Sequence, residues 1–447
     1  MSLESPLQPV ARIQPEPSRG WLINRNFTLL ALGQAISNVG DFVYSTTLLI
    51  WVYALGGSTA AVSGVLVAQY MPIFVLGPIA GVFVDRWHRL HTMLASDLTR
   101  TVIALLPLVV PGALRLPAIY CSVFLISAIS RFFQPALSAV TQVVVPDQQQ
   151  PQAASIGQAT QALSIVIGPA LASPLYFLVG PEVAVLINAA SYALSALCLW
   201  MMRVPRADLL PSALQSASGA LRQNETSRGT KAVFHELFDG VRFVLKTRIL
   251  LVVTLLGLFA MFGAGAINSL DIVFVSQRLH ASPNLYGYLT AVAGLGMLLG
   301  AITAGLLSKH MGPRLLLAGS LGLVGLGIVI YALQTSFVLA LVFSFLMSIP
   351  QGGINVGMGP IFMWVTPRHL MGRVQGVFGT AMYGASLLAI ALAGTLGVFV
   401  PAYLLLLSGG VMIVLSGLIG WLALPSSLQS VRKASVPGVT TLPGGQS

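Results

Sequence analysis

Apolar runs long enough to cross a lipid bilayer recur along the whole chain, and no other feature restricts the fold as tightly. A crossing helix needs roughly 20 apolar residues. Twelve such runs occur, at approximately 27–54, 60–84, 91–111, 117–142, 153–178, 182–202, 249–277, 284–308, 313–333, 335–362, 371–396 and 398–424. A polar stretch from Arg203 to Arg248 separates the sixth from the seventh. The expected fold is an all-α membrane protein, with twelve transmembrane helices in two six-helix bundles. Its expected parts are an N-terminal tail (1–26), a first bundle (27–202), a central loop (203–248), a second bundle (249–424) and a C-terminal tail (425–447).

Composition agrees with that class. Only 8% of the 447 residues are charged and 56% are hydrophobic, whereas soluble domains carry about 25% charged residues. The net charge of +11 raises nucleic acid as a partner, but the placement of the charges argues against it. With the N-terminus inside, 19 of the 23 Lys and Arg residues fall in the tails and loops on that side. Only Arg115 and Arg278 fall on the other side, and Arg100 and Arg131 lie within runs. Basic loops mark the cytoplasmic face, so the chain is expected in the cell membrane with both termini cytoplasmic. Residues 1–26 are polar and contain no apolar core of a cleavable signal. Cys121 and Cys198 lie inside runs and read as packing residues. In the central loop, the apolar residues from Phe234 to Leu245 recur at three- and four-residue intervals, as on an amphipathic helix along the inner membrane face.

The two halves read as repeats. Gly64, Gly77 and Gly81 in the second run match Gly287, Gly300 and Gly305 in the eighth, displaced by 223 to 224 residues. Internal repeats of this kind are common in secondary transporters, with substrate bound between the halves.

After the second run the chain reads Gly81-Val-Phe-Val-Asp85-Arg86-Trp-His-Arg89. This loop resembles the signature loop of the major facilitator superfamily, with His88 and Leu90 replacing a usual glycine and arginine. A looser copy, Gly305 to Arg314, follows run eight without the acid. Run four contains Arg131-Phe-Phe-Gln134-Pro135, similar to a second facilitator motif in which glycine usually stands at the proline. Run five contains Gly168-Pro169, flanked by Ser164, Ala172 and Ser173, and resembles the Gly-Pro motif of drug–proton antiporters. Proline kinks a helix and small residues allow close approach.

The resemblance covers about residues 21–425 and points to the branch of macrolide-efflux and enterobactin-type siderophore exporters. It implies the major facilitator fold, no cofactor and a gating role for Gly81, Asp85, Arg86 and Arg89. The loop's partner would be the start of run eleven at Arg373, where an aspartate can face the positive end of a helix. Topology anchoring is the alternative for these residues, and plain helix packing is the alternative for Gly168-Pro169.

Charges inside the bilayer are costly, on the order of 2.5–3.5 kcal/mol, and point to function. Asp41 and Arg131 lie at similar depths, roughly 21 and 18 Å from the inner side at 1.5 Å per residue. Asp41 is expected to be the proton-coupling carboxylate, with Arg131 favouring its charged form and burial favouring its protonated form; a static ion pair is the alternative. Asp41 shares a helix face with Gln34, Ser37, Asn38, Tyr44 and Ser45, so this polar stripe should line the cavity. Gln134, Gln158, Gln161, Asn188, Asn268, Gln351 and Asn355 are further lining candidates, with helix–helix hydrogen bonding as the alternative. Asp271 reads as solvated in an outer vestibule or as a second coupling site. Asp97 and Arg100 read as a local pair supporting the Asp85 loop.

Neither a phosphate-binding glycine loop nor paired histidine ligands occur, so neither ATP-driven transport, enzyme chemistry nor a metal site is expected. The reading is proton-coupled efflux of a small amphipathic compound, macrolide-like or a siderophore, by a monomer. The partners would be substrate, protons and the bilayer. Uniport or import without proton coupling, and a non-transporting scaffold or sensor, are the alternatives.

Overall fold

The computed structural model describes residues 23–84, 86–204, 230–308, 310–312, 314–367 and 370–424. Residues 1–22, the C-terminal tail, most of the central loop and Asp85 therefore lie outside the described residues. Twelve helices among the described residues are long and apolar enough to cross a membrane. The first six spans are α1 (Arg25–Gly56), α2 (Thr59–Val84), α3 (Arg89–Ala104, completed by Leu106–Val109), α4 (Arg115–Val144), α5 (Gln150–Val179) and α6 (Pro181–Trp200). A helix of the central loop, α7 (Thr230–Lys246), precedes the other six. These are α8 (Arg248–Gln277), α9 (Tyr286–Leu307), α10 (Ser320–Ala332, entered through a π turn at Leu315–Gly319), α11 (Phe337–Val365), α12 (Met371–Leu396) and α13 (Ala402–Ala423).

Local chemistry explains where the helices stop. Asn24 caps α1 by accepting from the Phe27 N–H at 2.8 Å, which satisfies a donor that the first turn leaves free. Gly57 ends α1 in the left-handed region (φ 59°), where its N–H bonds the Tyr53 carbonyl, a conformation that glycine adopts without strain. Gly180 turns the chain between α5 and α6 at φ 91°.

The halves repeat their packing scheme. In the first, α1 packs on α5 and α6, α2 on α4, and α3 on α4 and α6. In the second, α8 packs on α12 and α13, α9 on α11, and α10 on α11 and α13. The halves meet along α2–α12 and α5–α9.

Those two seams are tight at one end only. A Cβ on Gly394 would press on Ser63 of α2, one on Gly397 would press on Thr59, and one on Gly294 of α9 would lie 3.1 Å from Ile165 and Val166 of α5. Further along the same helices, toward the loops that carry Arg86, Arg89 and Arg314, a Cβ on Gly77, Gly81, Gly157, Gly305, Gly376 or Gly379 would meet nothing within 4 Å. The core divides in the same way. At the far end one buried cluster joins Leu48, Ile50 and Val65 to Leu270, Phe274, Leu289 and Ile390 across the halves. At the basic end the clusters are separate, one around Leu30, Met93 and Phe133 and another around Leu250, Leu317 and Val374. The molecule is sealed at the far end and open at the basic end.

Two expectations change. Cys121 is exposed on the flank of α4 and only Cys198 is partly covered, so the packing reading fails for Cys121: its face of α4 points away from the bundle. Helix α7 packs on the start of α12, where a Cβ on Gly240 would lie 3.0 Å from the Arg373 carbonyl. Arg373 pairs there with Asp239 at 3.3 Å, a partner that run-by-run reading did not offer it.

Candidate functional site: the cavity between the halves

The polar stripe on α1 faces inward. Gln34, Ser37, Asn38, Asp41, Tyr44 and Ser45 all line a cavity of about 300 Å³, together with Gln69 of α2, Arg100 of α3, and Ser127, Ser130, Arg131 and Gln134 of α4. Gln161 of α5 closes the wall. A second space of about 460 Å³ shares Gln34, Asn38, Gln134 and Gln161 and adds Gln158 and Gly157. It reaches Phe27 and Gln150 at the basic end, so it is the mouth of the first. The second half contributes a third space of about 510 Å³, lined by Asn268, Gln351, Met261, Met347, Met382 and several aliphatic side chains. Tyr70 of α2 and Tyr383 of α12 stand at its border, their rings 6.1 Å apart. One wall is therefore polar and charged, the other apolar and rich in methionine. Asn355 is exposed on α11 and lies outside the linings of these three spaces.

Helix packing positions Asp41. Gly40, its neighbour, lets α6 approach so closely that a Cβ there would collide with Ser191 and come 3.0 Å from the Asn188 Oδ1. That approach brings the Tyr192 hydroxyl of α6 to donate to the Asp41 carboxylate. Asn188 is buried beside the same pair. It belongs to the helix–helix contact and not to the cavity wall, which was the alternative held open for it.

Arg100 acts electrostatically on Asp41, and it shares the cavity lining with Arg131. Arg100 is 4% exposed and forms an ion pair with Asp97, which is fully buried. Its guanidinium lies 4.4 Å from the Phe133 ring centroid and 4.6 Å from that of Tyr192, and it donates to Ser130 at 3.4 Å. The local pair expected at Asp97 and Arg100 is present, but its surroundings are the site of Asp41. Sequence reasoning missed this because α3 was judged by its distance from the loop, while α1, α3 and α6 converge only when packed. Arg131 lines the same cavity and lies within electrostatic reach of Tyr383 from the other half. Among the described residues it makes no ion pair with Asp41. Pro135 sits inside α4 and cannot donate the helical hydrogen bond to the Arg131 carbonyl four residues earlier.

Asp271 on α8 is 9% exposed and accepts a hydrogen bond from Tyr331 of α10. Its neighbours Leu270 and Ile272 belong to the cluster that seals the far end. The solvated vestibule expected for it is absent, because this end is closed.

Gly168 and Pro169 sit where three helices meet. A Cβ on Gly168 would strike Phe42 of α1, and the Pro169 carbonyl and Ser173 press on Gly287 of α9. Ser173 also donates to the Asn284 carbonyl. The Gly-Pro segment therefore lies on the α5–α9 seam between the halves. Arg86 is exposed and Arg89 half-buried at the basic end, beside the open face of Gly81.

A comparison with known families decides the class. The Major Facilitator Superfamily model matches residues 30–274 and 253–442. The chain belongs to the Major Facilitator Superfamily. It is a multi-pass membrane transporter of that family. Among its relatives are a Bacillus subtilis MFS-type transporter, YkuC, 25% identical over 92% of this chain and 95% of that protein, and macrolide efflux protein A of Streptococcus pyogenes, 24% identical over 80% and 85%. The multidrug efflux pump Tap of Mycolicibacterium fortuitum is 25% identical over 76% and 81%. Among solved structures, an inward-facing bacterial homologue of the lysosomal transporter Spinster superposes with a TM-score of 0.67 at 14% identity, over 92% of this chain and 99% of that one. That likeness concerns the fold alone.

Proposed function

We propose that this transporter exports small amphipathic compounds in exchange for protons, from a cell membrane in which the basic end faces the cytoplasm. The observation that carries the reading is the two-sided cavity. A carboxylate and hydrogen-bonding groups stand on one wall, Met261, Met347 and Met382 stand on the other, and the mouth opens at the basic end. Apolar walls with a few placed polar groups suit drug-sized ligands, and flexible methionine suits ligands of varied shape. Arg131 and Arg100 are balanced by Asp41 and Asp97, so the cavity is not strongly basic. That balance favours a macrolide-like or other drug-like compound over an anionic siderophore. The macrolide and multidrug efflux relatives support the same choice.

In this reading Asp41 carries the proton. Water from the cytoplasm reaches it through the mouth, and rocking of the halves about the α2–α12 and α5–α9 seams exposes it to the other side. Substrate against the α1 stripe and the proton on Asp41 compete for the same wall, so binding of one favours release of the other. Gly81, Asp85, Arg86, Arg89 and Arg373 belong to the gate that closes at the basic end, and Gly168-Pro169 to the seam about which the halves rock.

Inverted membrane vesicles containing the chain should accumulate a macrolide, or a fluorescent amphipathic dye, when acidified inside. Collapse of the gradient should stop accumulation, and Asp41→Asn should insert normally yet show none. Accumulation that ignores the gradient would instead indicate uniport. No accumulation, with no substrate-dependent change in labelling at Asn38→Cys, would indicate a scaffold or sensor.

A further inference from the structure

We propose that Arg100 is a shared counter-charge that moves between Asp97 and Asp41 as Asp41 gains and loses its proton. The inference rests on the reading of Asp41 as the proton carrier and names the residues that make its charge change felt by the helices.

Geometry provides one guanidinium for two carboxylates. Asp41 stands on the cavity wall, where water can take its proton. Asp97 lies behind it, fully buried, and holds Arg100. Tyr192 joins the two layers: its hydroxyl donates to Asp41 and its ring lies 4.6 Å from the Arg100 guanidinium. The remaining groups facing this cluster are Tyr44 of α1, Ser130 and Arg131 of α4, and Asn188 and Ser195 of α6. α2 supplies uncharged Gln69 to the wall, and α5 packs on α1 through Gly168 beside Phe42.

With the proton on Asp41, the Asp97–Arg100 pair is electrically complete. When the proton leaves to cavity water, a second negative charge stands close to Arg100. A guanidinium has five N–H donors in a fixed fork, and the Arg100 Nε–H is without a partner here. Arg100 can therefore serve both acids, and its pull draws α3 toward α1. Charge in a buried site demands compensation, so the shift is tied to the proton. Asp97 and Arg100 are positioning residues: Asp41 and Arg100 both border the cavity, but Asp41 is the group that exchanges the proton.

The test uses the full chain with Cys121 and Cys198 replaced by Ser, reconstituted in lipid nanodiscs. Spin labels at Gln142→Cys on α4 and Met363→Cys on α11, both exposed at the basic end of opposite halves, report its opening as a distance measured from acid to alkaline pH. The parent chain should switch between two distance populations. Asp41→Asn should hold the acid population at every pH. Asp97→Asn, which leaves Arg100 to Asp41 alone, should hold the alkaline population at every pH. The double variant Asp97→Asn/Arg100→Gln removes the buried pair together, so it leaves no buried charge unmatched, and should hold the acid population. Arg100→Lys, which keeps the charge, should still respond to pH. A folded Asp97→Asn that follows the parent profile, or that matches Asp41→Asn, overturns the proposal, as does a double variant that follows the parent profile. A parent chain that switches with pH while Asp97→Asn also switches removes only this inference. A parent chain that ignores pH removes the proton-coupled reading with it.

Discussion

At the scale of single residues, the buried polar groups decide most. Asp271 and Tyr331 form a pair inside the far-end seal, where the Tyr331 side chain is fully buried. Removing a buried partner leaves the other group unsatisfied, at about 1–3 kcal/mol. Tyr331→Phe should therefore lower thermal stability in detergent clearly more than Asp271→Asn, whose amide oxygen still accepts from Tyr331. No loss in Tyr331→Phe would mean that Tyr331 matters through its ring alone. Gly40 acts through what it lacks. A larger side chain would push α6 from α1 and part Tyr192 from Asp41, so Gly40→Leu should cost on the order of 1–3 kcal/mol by overpacking and abolish gradient-driven accumulation. Gly40→Ala with full transport would show that the close approach is dispensable.

At the scale of elements, helices α9 and α11 interlock through glycine. A Cβ on Gly300 would strike the Ile349 carbonyl, and one on Gly352 would strike the backbone of Gly300. In lipid, where apolar burial adds little between helices, such close backbone packing is a main source of association. Gly352→Leu should therefore cut the yield of monodisperse protein sharply, and a normal size-exclusion profile would contradict that packing role. The contact of α7 with α12 is of another kind. Asp239 and Arg373 are 41% and 31% exposed, and an exposed ion pair is worth about 0–1 kcal/mol. Asp239→Asn should leave the melting temperature nearly unchanged.

At the scale of the whole molecule, the open basic end and sealed far end make a simple labelling forecast. In the background lacking Cys121 and Cys198, Gly157→Cys and Gly379→Cys line open cavities and should react with a water-soluble maleimide. Ser63→Cys, packed against Gly394 and 3% exposed, should not. Reversal of that pattern would mean that the opposite state dominates in lipid. The glycines that face open space on α2, α5, α9 and α12 continue the seams that are tight at the far end, and in the proposed alternating access their small size would let the helices close there.

Much of this was legible in the chain itself. Twelve apolar runs determine the helices, because a segment in hydrocarbon must satisfy its own backbone hydrogen bonds. Helical periodicity placed Gln34, Ser37, Asn38, Asp41, Tyr44 and Ser45 on one face, and all six line the cavity. Partnership was not legible. Arg131 matches Asp41 in depth yet lies within electrostatic reach of Tyr383 of the other half, while Arg100, read as one of a local pair supporting the Asp85 loop, acts on Asp41. Asp271 reads as wet or dry according to which end is closed. Depth in a membrane follows from counting along one helix, but contact depends on how helices are rotated and tilted against one another. Groups such as the Ser191 and Phe42 side chains and the Ile349 backbone, pressing on glycines of neighbouring helices, set that arrangement only once all the helices are packed.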